Sequence, residues 1–333
     1  MNHMNLQEFR EWFDVQFDRK IEEKISTYNT YSTSEDVHAI VTYVKQVAAH
    51  GKRFRPYLAY IALGSEKPEE HIDLFVAIEF LHLYAIIHDD IMDNGSMRHG
   101  VACAHRKFTE LYFAQRVGGS LAILLGDLVF QWSYESLWSY VRTYPSTQER
   151  ILGVFNELVG EVIHGQMIDV VSPTKDTYPL SLIIQKMYLK TARYSFVHPI
   201  RLGYIAKGEN GDEFAESFGG ALGTMFQIQD DMIDVSVQSN KSSFLDIETN
   251  QQTILSWYMR NEADAKHQDE FKTYIGRSLT DAEKANLSGI FEESGAYAYV
   301  KKEIDRYFEK AIQSARDSDV WKGIAHMVYT RTS

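Results

Sequence analysis

Cysteine is nearly absent from this chain, which contains only Cys103 among its 333 residues. A single thiol cannot form an internal disulfide or a cysteine-based metal site, and its scarcity fits a reducing compartment. We therefore expect a cytoplasmic protein in which Cys103 is a small buried side chain.

Positive charge is also in short supply. The chain has 34 lysine and arginine residues against 46 aspartate and glutamate residues, which gives a formal net charge of -12. Nucleic acids are bound mainly through clustered lysine and arginine, so no nucleic-acid partner is expected. An acidic protein can still bind anionic substrates through metal ions.

Long apolar runs are lacking as well. Segments such as SLAILLG at 120–126 fall well short of the roughly 20 apolar residues that a membrane-spanning helix needs. The opening residues, MNHMNLQEFREWFDVQF, are charged from the first turns and lack the apolar core of a signal peptide. We expect neither a transmembrane segment nor export.

Prolines are also few, and the alternation of apolar and polar residues that is typical of β-strands is scarce. Only 6 prolines occur, and apolar residues recur at three- and four-residue spacing, which is typical of helices. No linker rich in glycine, serine or proline interrupts them. We predict an all-α protein with one domain, residues 1–333. The predicted helices cover 6–27, 34–49, 55–63, 69–92, 121–141, 148–171, 180–206 and 212–235, with shorter helices from 252 onward. Pro199 lies inside one of them and predicts a kink.

Two copies of the pattern D-D-x-x-D are the main positive feature, HDDIMD at 88–93 and QDDMID at 229–234. On a helix the first, second and fifth positions lie close together, so three carboxylates should converge in each copy. Both copies follow apolar runs, AIEFLHLYAII and GGALGTMFQI, which predicts facing walls of one cavity.

The clustered carboxylates of each motif should repel one another. Two like charges about 4 Å apart repel by roughly 4 kcal/mol at an effective dielectric of ~20. Oxygen ligands under such repulsion suit Mg²⁺ bridged to phosphates. A lone copy would more often be a solvated helix end.

A basic segment, GKRFRP at 51–56, provides the opposite charge. Lys52, Arg53 and Arg55 stand where a loop enters a helix, and backbone N–H groups there also favour an anion. This segment is a candidate phosphate grip, although a basic turn is often only solvated.

The ordered set GKRFRP, HDDIMDNGSMRHG, GQMID, KTA and FQIQDDMID resembles the trans-isoprenyl diphosphate synthase family over about residues 50 to 255. The resemblance implies the isoprenoid synthase fold, a helical bundle around a deep central cavity. It also implies about three Mg²⁺ ions per active site, isopentenyl and allylic diphosphates as substrates, and a homodimer.

The same resemblance assigns roles to individual residues. Mg²⁺ would be bound by Asp89, Asp90, Asp93, Asp230, Asp231 and Asp234. The allylic diphosphate would be held by Arg98, Lys190 and Lys241, and isopentenyl diphosphate by Lys52, Arg55, His82 and His99. The oxygens of Thr191 and Gln227 would stabilise the allylic cation.

Two positions depart from the family pattern. His99 stands where a second arginine is usual, and a histidine is only partly charged near pH 7. Gln251, in DIETNQQT, stands where a lysine is common. Both changes would weaken diphosphate binding, and they keep open a partner-dependent subunit of a heteromeric synthase. Such a subunit would be expected to have eroded aspartate motifs, and both are complete.

Product length depends on the helix before the first aspartate motif, where bulk stops the growing chain in this family. Tyr84 lies five residues before Asp89 and small Ala85 lies four before it. This pattern resembles geranylgeranyl diphosphate synthases. A farnesyl diphosphate synthase stays open, because Phe80 or Phe113 can help Tyr84 to close the cavity.

Two rivals have some support in the sequence. The strings Glu79 to His82 and Glu161 to His164 match the E-x-x-H spacing of di-iron bundles, but two further bridging glutamates cannot be identified. A terpene cyclase would also use one D-D-x-x-D, but it needs neither the second copy nor a grip for a second diphosphate.

Overall fold

The structure is a computed structural model that describes residues 3–98, 100–236 and 244–331. The long helices are α1 (Leu6–Asn29), α5 (Ile72–Met92), α7 (Gln115–Thr143), α8 (Gln148–Val171), α12 (Gly220–Asp234) and α17 (Ala296–Ala315). Shorter ones are α2 (Glu35–Thr42), α3 (Val44–Ala48), α4 (Phe54–Leu63), α6 (Ala104–Tyr112), α9 (Leu180–Met187), α10 (His198–Lys207), α11 (Asp212–Phe214), α13 (Leu245–Glu248), α14 (Ile254–Asn261), α15 (Ala265–Lys272), α16 (Asp281–Glu293) and α18 (Asp319–Tyr329). The all-α prediction is confirmed.

Within the described ranges, β-structure is confined to one hairpin of two-residue strands, β1 (Met97–Arg98) and β2 (Val101–Ala102). The strands are antiparallel, with Met97 opposite Ala102 and Arg98 opposite Val101. The hairpin follows the first aspartate motif directly and brings Arg98 back toward it.

The chain divides into two compact units. The first contains Met1–Gly153 and Leu202–Asn210, and the second contains Val154–Arg201 and Gly211–Ser333. Each unit has one aspartate motif. That the chain forms one domain, with the two motifs on facing walls, stays a prediction.

An aromatic row on α1 fills the core of the first unit. Phe9, Phe13 and Phe17 recur every four residues, are fully buried and stack on one another at 5.6 and 5.4 Å between ring centroids. Phe17 reaches Phe80 of α5 at 4.9 Å. A capping box between Asn5 and Glu8 starts the helix. The helical spacing of the aromatic residues therefore fixes α1 against α5.

Close backbone contacts organise the second unit around a π-helix, Tyr188–Val197. A Cβ on Gly165 of α8 would lie 2.5 Å from the backbone nitrogen of Lys190, and one on Gly223 of α12 would lie 2.4 Å from the Cα of Ala192. Glycine is required at both places because no side chain fits. A second, shorter π-helix, Ala215–Gly219, precedes α12.

Several predicted boundaries were wrong. The helix predicted over 34–49 ends at Thr42 and restarts at Val44, and the helix α6 was missed. The segment predicted as one helix over 180–206 consists of α9, the π-helix and α10. The residues just before Pro199 have the wider π-helical pattern, and the kink predicted at Pro199 stays a prediction.

One described helix is longer and more apolar than the sequence analysis allowed. The segment Pro68–Met92 is long and apolar enough to cross a membrane, with a mean hydropathy of 1.4. However, 61% of its most apolar window is buried inside the protein. A core helix passes the same test, so this finding is weak evidence for a membrane span.

A buried histidine in the first unit predicts sensitivity to acid. His71 Nδ1 lies 3.0 Å from the Tyr140 hydroxyl, and burial lowers the pKa of the ring below 6.5. The unfolded chain therefore binds more protons than the folded chain as pH falls through 6.5, and stability is lost.

We expect the free energy of unfolding, measured with urea, to fall by up to ~1.4 kcal/mol per pH unit through this histidine between pH 6.5 and 5.5. The variant His71→Gln should show a smaller fall. The exposed His50 serves as the control, because His50→Gln should keep the wild-type slope. Equal slopes in wild type and His71→Gln would contradict this prediction.

Candidate active site

The first aspartate motif ends α5, and its buried member has a local cation. Arg98 donates from Nε to Asp90 Oδ1 at 2.7 Å, and its Nη2 lies 2.6 Å from the same oxygen and 3.5 Å from Asp89 Oδ2. Asp93 is the exposed C-cap of α5. Carboxylates at a helix C-terminus are disfavoured by the helix dipole, so this end of α5 favours added positive charge.

Cys103 lies beside the same motif. It is buried, as predicted, and burial together with the nearby Asp90 carboxylate raises the pKa of its thiol to about 12. The thiol is therefore protonated at neutral pH and is a poor nucleophile. This agrees with a reaction that needs no nucleophilic side chain.

Only part of the basic segment before α4 stays a candidate for binding a phosphate group. Arg53 adopts a left-handed conformation with φ of 53°, is 3% exposed and donates to Asp14, Glu79 and the Ala48 carbonyl. Its inclusion in the grip was wrong, because its guanidinium holds the core together. Lys52 is exposed, and Arg55 and His82 are half-buried. Their binding of isopentenyl diphosphate stays a prediction.

The predicted floor residue Tyr84 is the start of an aromatic cluster between α5 and α7. Its ring lies 4.7 Å from both the His88 and the Phe130 rings, and Phe130 lies 5.1 Å from Tyr134. Gly126 of α7 permits this approach, because a Cβ there would lie 2.3 Å from His88 Nε2. The sequence analysis missed the contribution of α7 to this cluster.

The helpers proposed for Tyr84 do not lie with it. Phe113 is 95% exposed at the end of α6, so its contribution was wrong. Phe80 is fully buried and packs on Phe17 and Trp132 in the core. Ala85 is half-buried on α5.

In the second unit, the π-helix and α12 bring three predicted site residues together. The Thr191 hydroxyl donates to Gln227 Oε1 at 2.6 Å, and Gln227 Nε2 donates to Asp231 Oδ1 at 2.8 Å. These two bonds fix the orientation of the Gln227 amide. The oxygens of Thr191 and Gln227 therefore lie side by side, next to the second aspartate motif.

Lys190 pairs with a carboxylate to which the sequence analysis gave no role. Its Nζ donates to Asp169 Oδ2 at 2.6 Å, and Lys186 Nζ lies 3.0 Å from the other oxygen. Burial alone would raise the pKa of Asp169, but the two lysines outweigh it, and the pKa lies below its ordinary value. The motif GQMID, which ends in Asp169, was the signal that could have identified it.

Further carboxylates surround the second motif. Asp234 accepts from the backbone nitrogens of Leu245 and Asp246 at 3.3 and 3.0 Å. Burial, followed by repulsion from Asp231 and Asp234, raises the pKa of Asp246 well above its ordinary value. Burial also raises the pKa of Asp231, and the Asp230 and Asp169 charges add to it. Asp246 and Lys186 are further site residues that the sequence analysis missed.

The predicted convergence of three carboxylates is not seen. Among the residues that the structure describes, no three acidic, histidine or cysteine side chains lie where they could hold a metal ion together. Several of these carboxylates accept hydrogen bonds from separate donors. Asp90 accepts from Arg98, Asp231 from Gln227 and Asp234 from backbone N–H groups.

The donor set nevertheless suits Mg²⁺. Its ligands would be carboxylate oxygens, which hard divalent cations prefer. Burial is the main cause of the raised pKa values of Asp231 and Asp246, and repulsion from neighbouring carboxylates adds to it, so a divalent cation there would relieve that repulsion. The six aspartates of the two motifs therefore stay the predicted ligands.

For three residues singled out in the sequence, the structure gives little information about a role in the site. His99 and Lys241 lie outside the described residues. Gln251 is half-buried and donates from its backbone nitrogen to the Asp246 carbonyl at 2.7 Å. It lies on the loop after α13, and its partner Asp246 is one of the carboxylates around the second aspartate motif.

Both glutamates that the di-iron alternative would need as metal ligands are paired with arginines. Glu79 accepts from Arg53 at 2.7 Å, and Glu161 accepts from Arg193 at 2.5 Å and lies 2.7 Å from His198 Nε2. Both carboxylates are thus already balanced by arginines.

A helical enzyme with two complete D-D-x-x-D motifs and cations beside them is a prenyltransferase of the isoprenyl diphosphate synthase type. Residues 37–291 match the family described as polyprenyl synthetase, and the chain belongs to that family. Mg²⁺ dependence is general in it.

Two relatives agree with this assignment, and a solved structure shares the fold. The chain is 26% identical over 299 residues to a short chain isoprenyl diphosphate synthase of Methanocaldococcus jannaschii, covering 86% of this chain and 85% of the relative. It is 25% identical over 301 residues to the octaprenyl diphosphate synthase of Escherichia coli, covering 86% and 87%. A geranylgeranyl pyrophosphate synthase of Corynebacterium glutamicum, solved with isoprenyl diphosphate and magnesium, has the same fold, with a TM-score of 0.87, 20% identity and 99% of each chain covered.

Proposed function

We propose that this protein condenses isopentenyl diphosphate with allylic diphosphates and that its main product is geranylgeranyl diphosphate. The observation that carries the proposal is the pair of complete aspartate motifs, each beside its own cations. Arg98 lies at the first motif, and Lys186 and Lys190 pair with Asp169 near the second.

The reaction breaks the bond between C1 and oxygen of the allylic diphosphate, and the electron pair leaves with inorganic diphosphate. The allylic cation then alkylates the double bond of isopentenyl diphosphate, and the departing diphosphate takes the proton that is lost. Bound Mg²⁺, about three ions held by the six motif aspartates, would neutralise charge on the leaving group.

The chain's own cations would hold the two diphosphates. In this proposal Arg98, Lys190 and Lys241 bind the allylic diphosphate. Arg98 donates to Asp90 and Lys190 donates to Asp169, so both side chains already lie beside acidic groups. Lys52, Arg55, His82 and His99 bind isopentenyl diphosphate.

Thr191 and Gln227 would stabilise the allylic cation through their oxygens. Because the Thr191 proton is donated to Gln227 Oε1, the lone pairs of the hydroxyl oxygen stay available for positive charge. The Gln227 amide cannot turn its nitrogen toward Thr191 without losing its bond to Asp231. The hydrogen-bond chain thus keeps two oxygens oriented for the cation.

The cluster around Tyr84 would set product length by stopping the growing chain. In the variant Tyr84→Ala, the Phe130 side chain loses a ring at 4.7 Å, and we expect products at least one isoprene unit longer. Mass spectrometry of the diphosphates measures this. Phe113→Ala serves as the control, because the 95% exposed ring of Phe113 should leave product length unchanged. An unchanged product in Tyr84→Ala would place the floor elsewhere.

Incubation of the purified chain with Mg²⁺, isopentenyl diphosphate and, separately, dimethylallyl, geranyl and farnesyl diphosphates tests the function. A dominant twenty-carbon diphosphate supports the proposal in full. A fifteen-carbon product would keep the chemistry but make the enzyme a farnesyl diphosphate synthase. No elongation with any primer would point to a subunit of a heteromeric synthase or to a cyclase.

We propose in addition that the protein is a homodimer, which rests on the family resemblance, and that it is cytoplasmic, which rests on its single cysteine. Light scattering coupled to size-exclusion chromatography measures the assembly. A mass of about 38.4 kDa would contradict the dimer, since that is the mass of one chain.

A further inference from the structure

Arg331, the last residue that the structure describes, contacts the second aspartate motif. Its Nη2 donates to Asp230 Oδ1 at 2.6 Å and to the Phe226 carbonyl oxygen at 2.8 Å. The guanidinium carbon lies 3.6 Å from the centroid of the Phe226 ring. The side chains are 12% exposed for Arg331 and 43% exposed for Asp230. Arg331 is therefore enclosed although it lies beyond the end of α18.

The end of α18 is anchored so that Arg331 can reach this place. Gln229 of α12 donates to the Tyr329 carbonyl oxygen at 2.8 Å. The Tyr329 hydroxyl donates to Asp305 at 2.8 Å, and its ring stacks on Phe308 at 4.2 Å. These contacts do not involve Asp230, so the segment stays in place if Arg331 lets go of that carboxylate.

The contact is also incomplete. A guanidinium can bind a carboxylate through two parallel hydrogen bonds, but here one nitrogen makes both bonds. Within the described part of the chain, the buried Nε has no hydrogen-bond partner. Because only one Arg331 nitrogen holds Asp230 Oδ1 and this carboxylate is partly exposed, a stronger ligand can take the place of Arg331 there without unfolding any helix.

We propose that Arg331 is a positioning residue of the metal site: it is an internal counter-ion of Asp230 while no metal is bound, and a divalent cation must displace it from Asp230 Oδ1 to bind at that oxygen. The proposal rests on the proposed function, in which Asp230 is a metal ligand. Only the fraction of molecules in which Arg331 has released Asp230 can bind the cation, so the pair weakens the apparent affinity.

Direct binding of Mn²⁺, followed by electron paramagnetic resonance of the free ion, tests this without any prenyl substrate. The measurement is repeated with inorganic diphosphate present. Wild type and Arg331→Gln are compared, and we expect the variant to bind Mn²⁺ about 5-fold more tightly. Arg331→Lys keeps the charge and should return most of the way to the wild-type affinity.

Arg316→Gln is the matched control. Arg316 is exposed in the same unit, so this variant loses the same charge at a different place and should change the affinity less than about 2-fold. Circular dichroism should show that every variant is folded. An equal gain in both glutamine variants would mean a general charge effect and would overturn the proposal. Unchanged or weaker binding in Arg331→Gln would overturn it as well.

Asp230→Asn separates this proposal from the function on which it rests. If that variant binds Mn²⁺ as wild type does, Asp230 is not a ligand, and both the metal assignment and the counter-ion proposal fail. If it loses Mn²⁺ while Arg331→Gln gains nothing, the metal assignment stands and only the counter-ion proposal fails. In the double variant Asp230→Asn with Arg331→Gln, replacing Arg331 should have no further effect on Mn²⁺ binding.

Discussion

Replacing Asp89 by alanine should lower kcat/KM by at least ~10²-fold, by analogy with the loss of one group that stabilises charge in a transition state. Asp89 is the first carboxylate of the first motif, and in the proposed mechanism it holds a cation that neutralises the leaving diphosphate. Since its side chain is 25% exposed and lies 3.5 Å from Arg98, we expect the fold to tolerate the change. The steady-state rate with farnesyl and isopentenyl diphosphates measures the effect.

Asp18→Ala is a suitable control, because this aspartate is exposed on α1 and has no predicted role. It should keep the wild-type rate. Asp89→Asn, which keeps the shape and removes the charge, should lose nearly as much as the alanine variant. Normal turnover by Asp89→Ala would refute the assignment of the first motif.

Replacing Arg53 by alanine should lower the free energy of unfolding by about 3–5 kcal/mol, because it leaves a buried charge without its partner. Glu79 is 1% exposed and accepts from Arg53 through Oε1. In the described part of the chain, its other oxygen has no hydrogen-bond partner. Urea denaturation followed by circular dichroism measures the loss.

The neighbouring Lys52→Ala is the matched control, since Lys52 is exposed and its replacement should cost well under 1 kcal/mol. A second comparison isolates the buried charge. Arg53→Met alone should be less stable than the double variant Arg53→Met with Glu79→Leu, which removes both charges. If the double variant is the less stable of the two, the pair contributes through packing and not through charge balance.

The helical fold could be predicted from the sequence because apolar spacing depends on local geometry. The spacing identified α5 and α8 close to their observed ends, whereas the helix predicted over 212–235 consists of α11, a short π-helix and α12. It missed α6, and it could not distinguish the π-helix from the α-helices on either side of it. The difference between these helices lies in the pattern of backbone hydrogen bonds, which apolar spacing over so short a segment does not reveal.

The site could be predicted only in its residue types. The two motifs, Arg98 and the pair of Thr191 with Gln227 were found because their order along the chain resembles a known family. Two pairings could not be predicted, because their members lie far apart along the chain. Asp230 is met by Arg331, and Lys190 by Asp169. Arg53 was misplaced because the three basic residues at positions 52, 53 and 55 look alike in the sequence, whereas the fold buries one of them.

The close packing around the π-helix restricts how this enzyme can be altered. Gly165 lies against the backbone of Lys190, and Gly223 lies against Ala192, the residue after Thr191, so even a methyl group at either glycine would push on this part of the π-helix. Tyr84 instead meets other side chains, which can repack when one of them changes size. A mutant library aimed at new product lengths should therefore vary the cluster on α5 and α7 and leave these glycines unchanged.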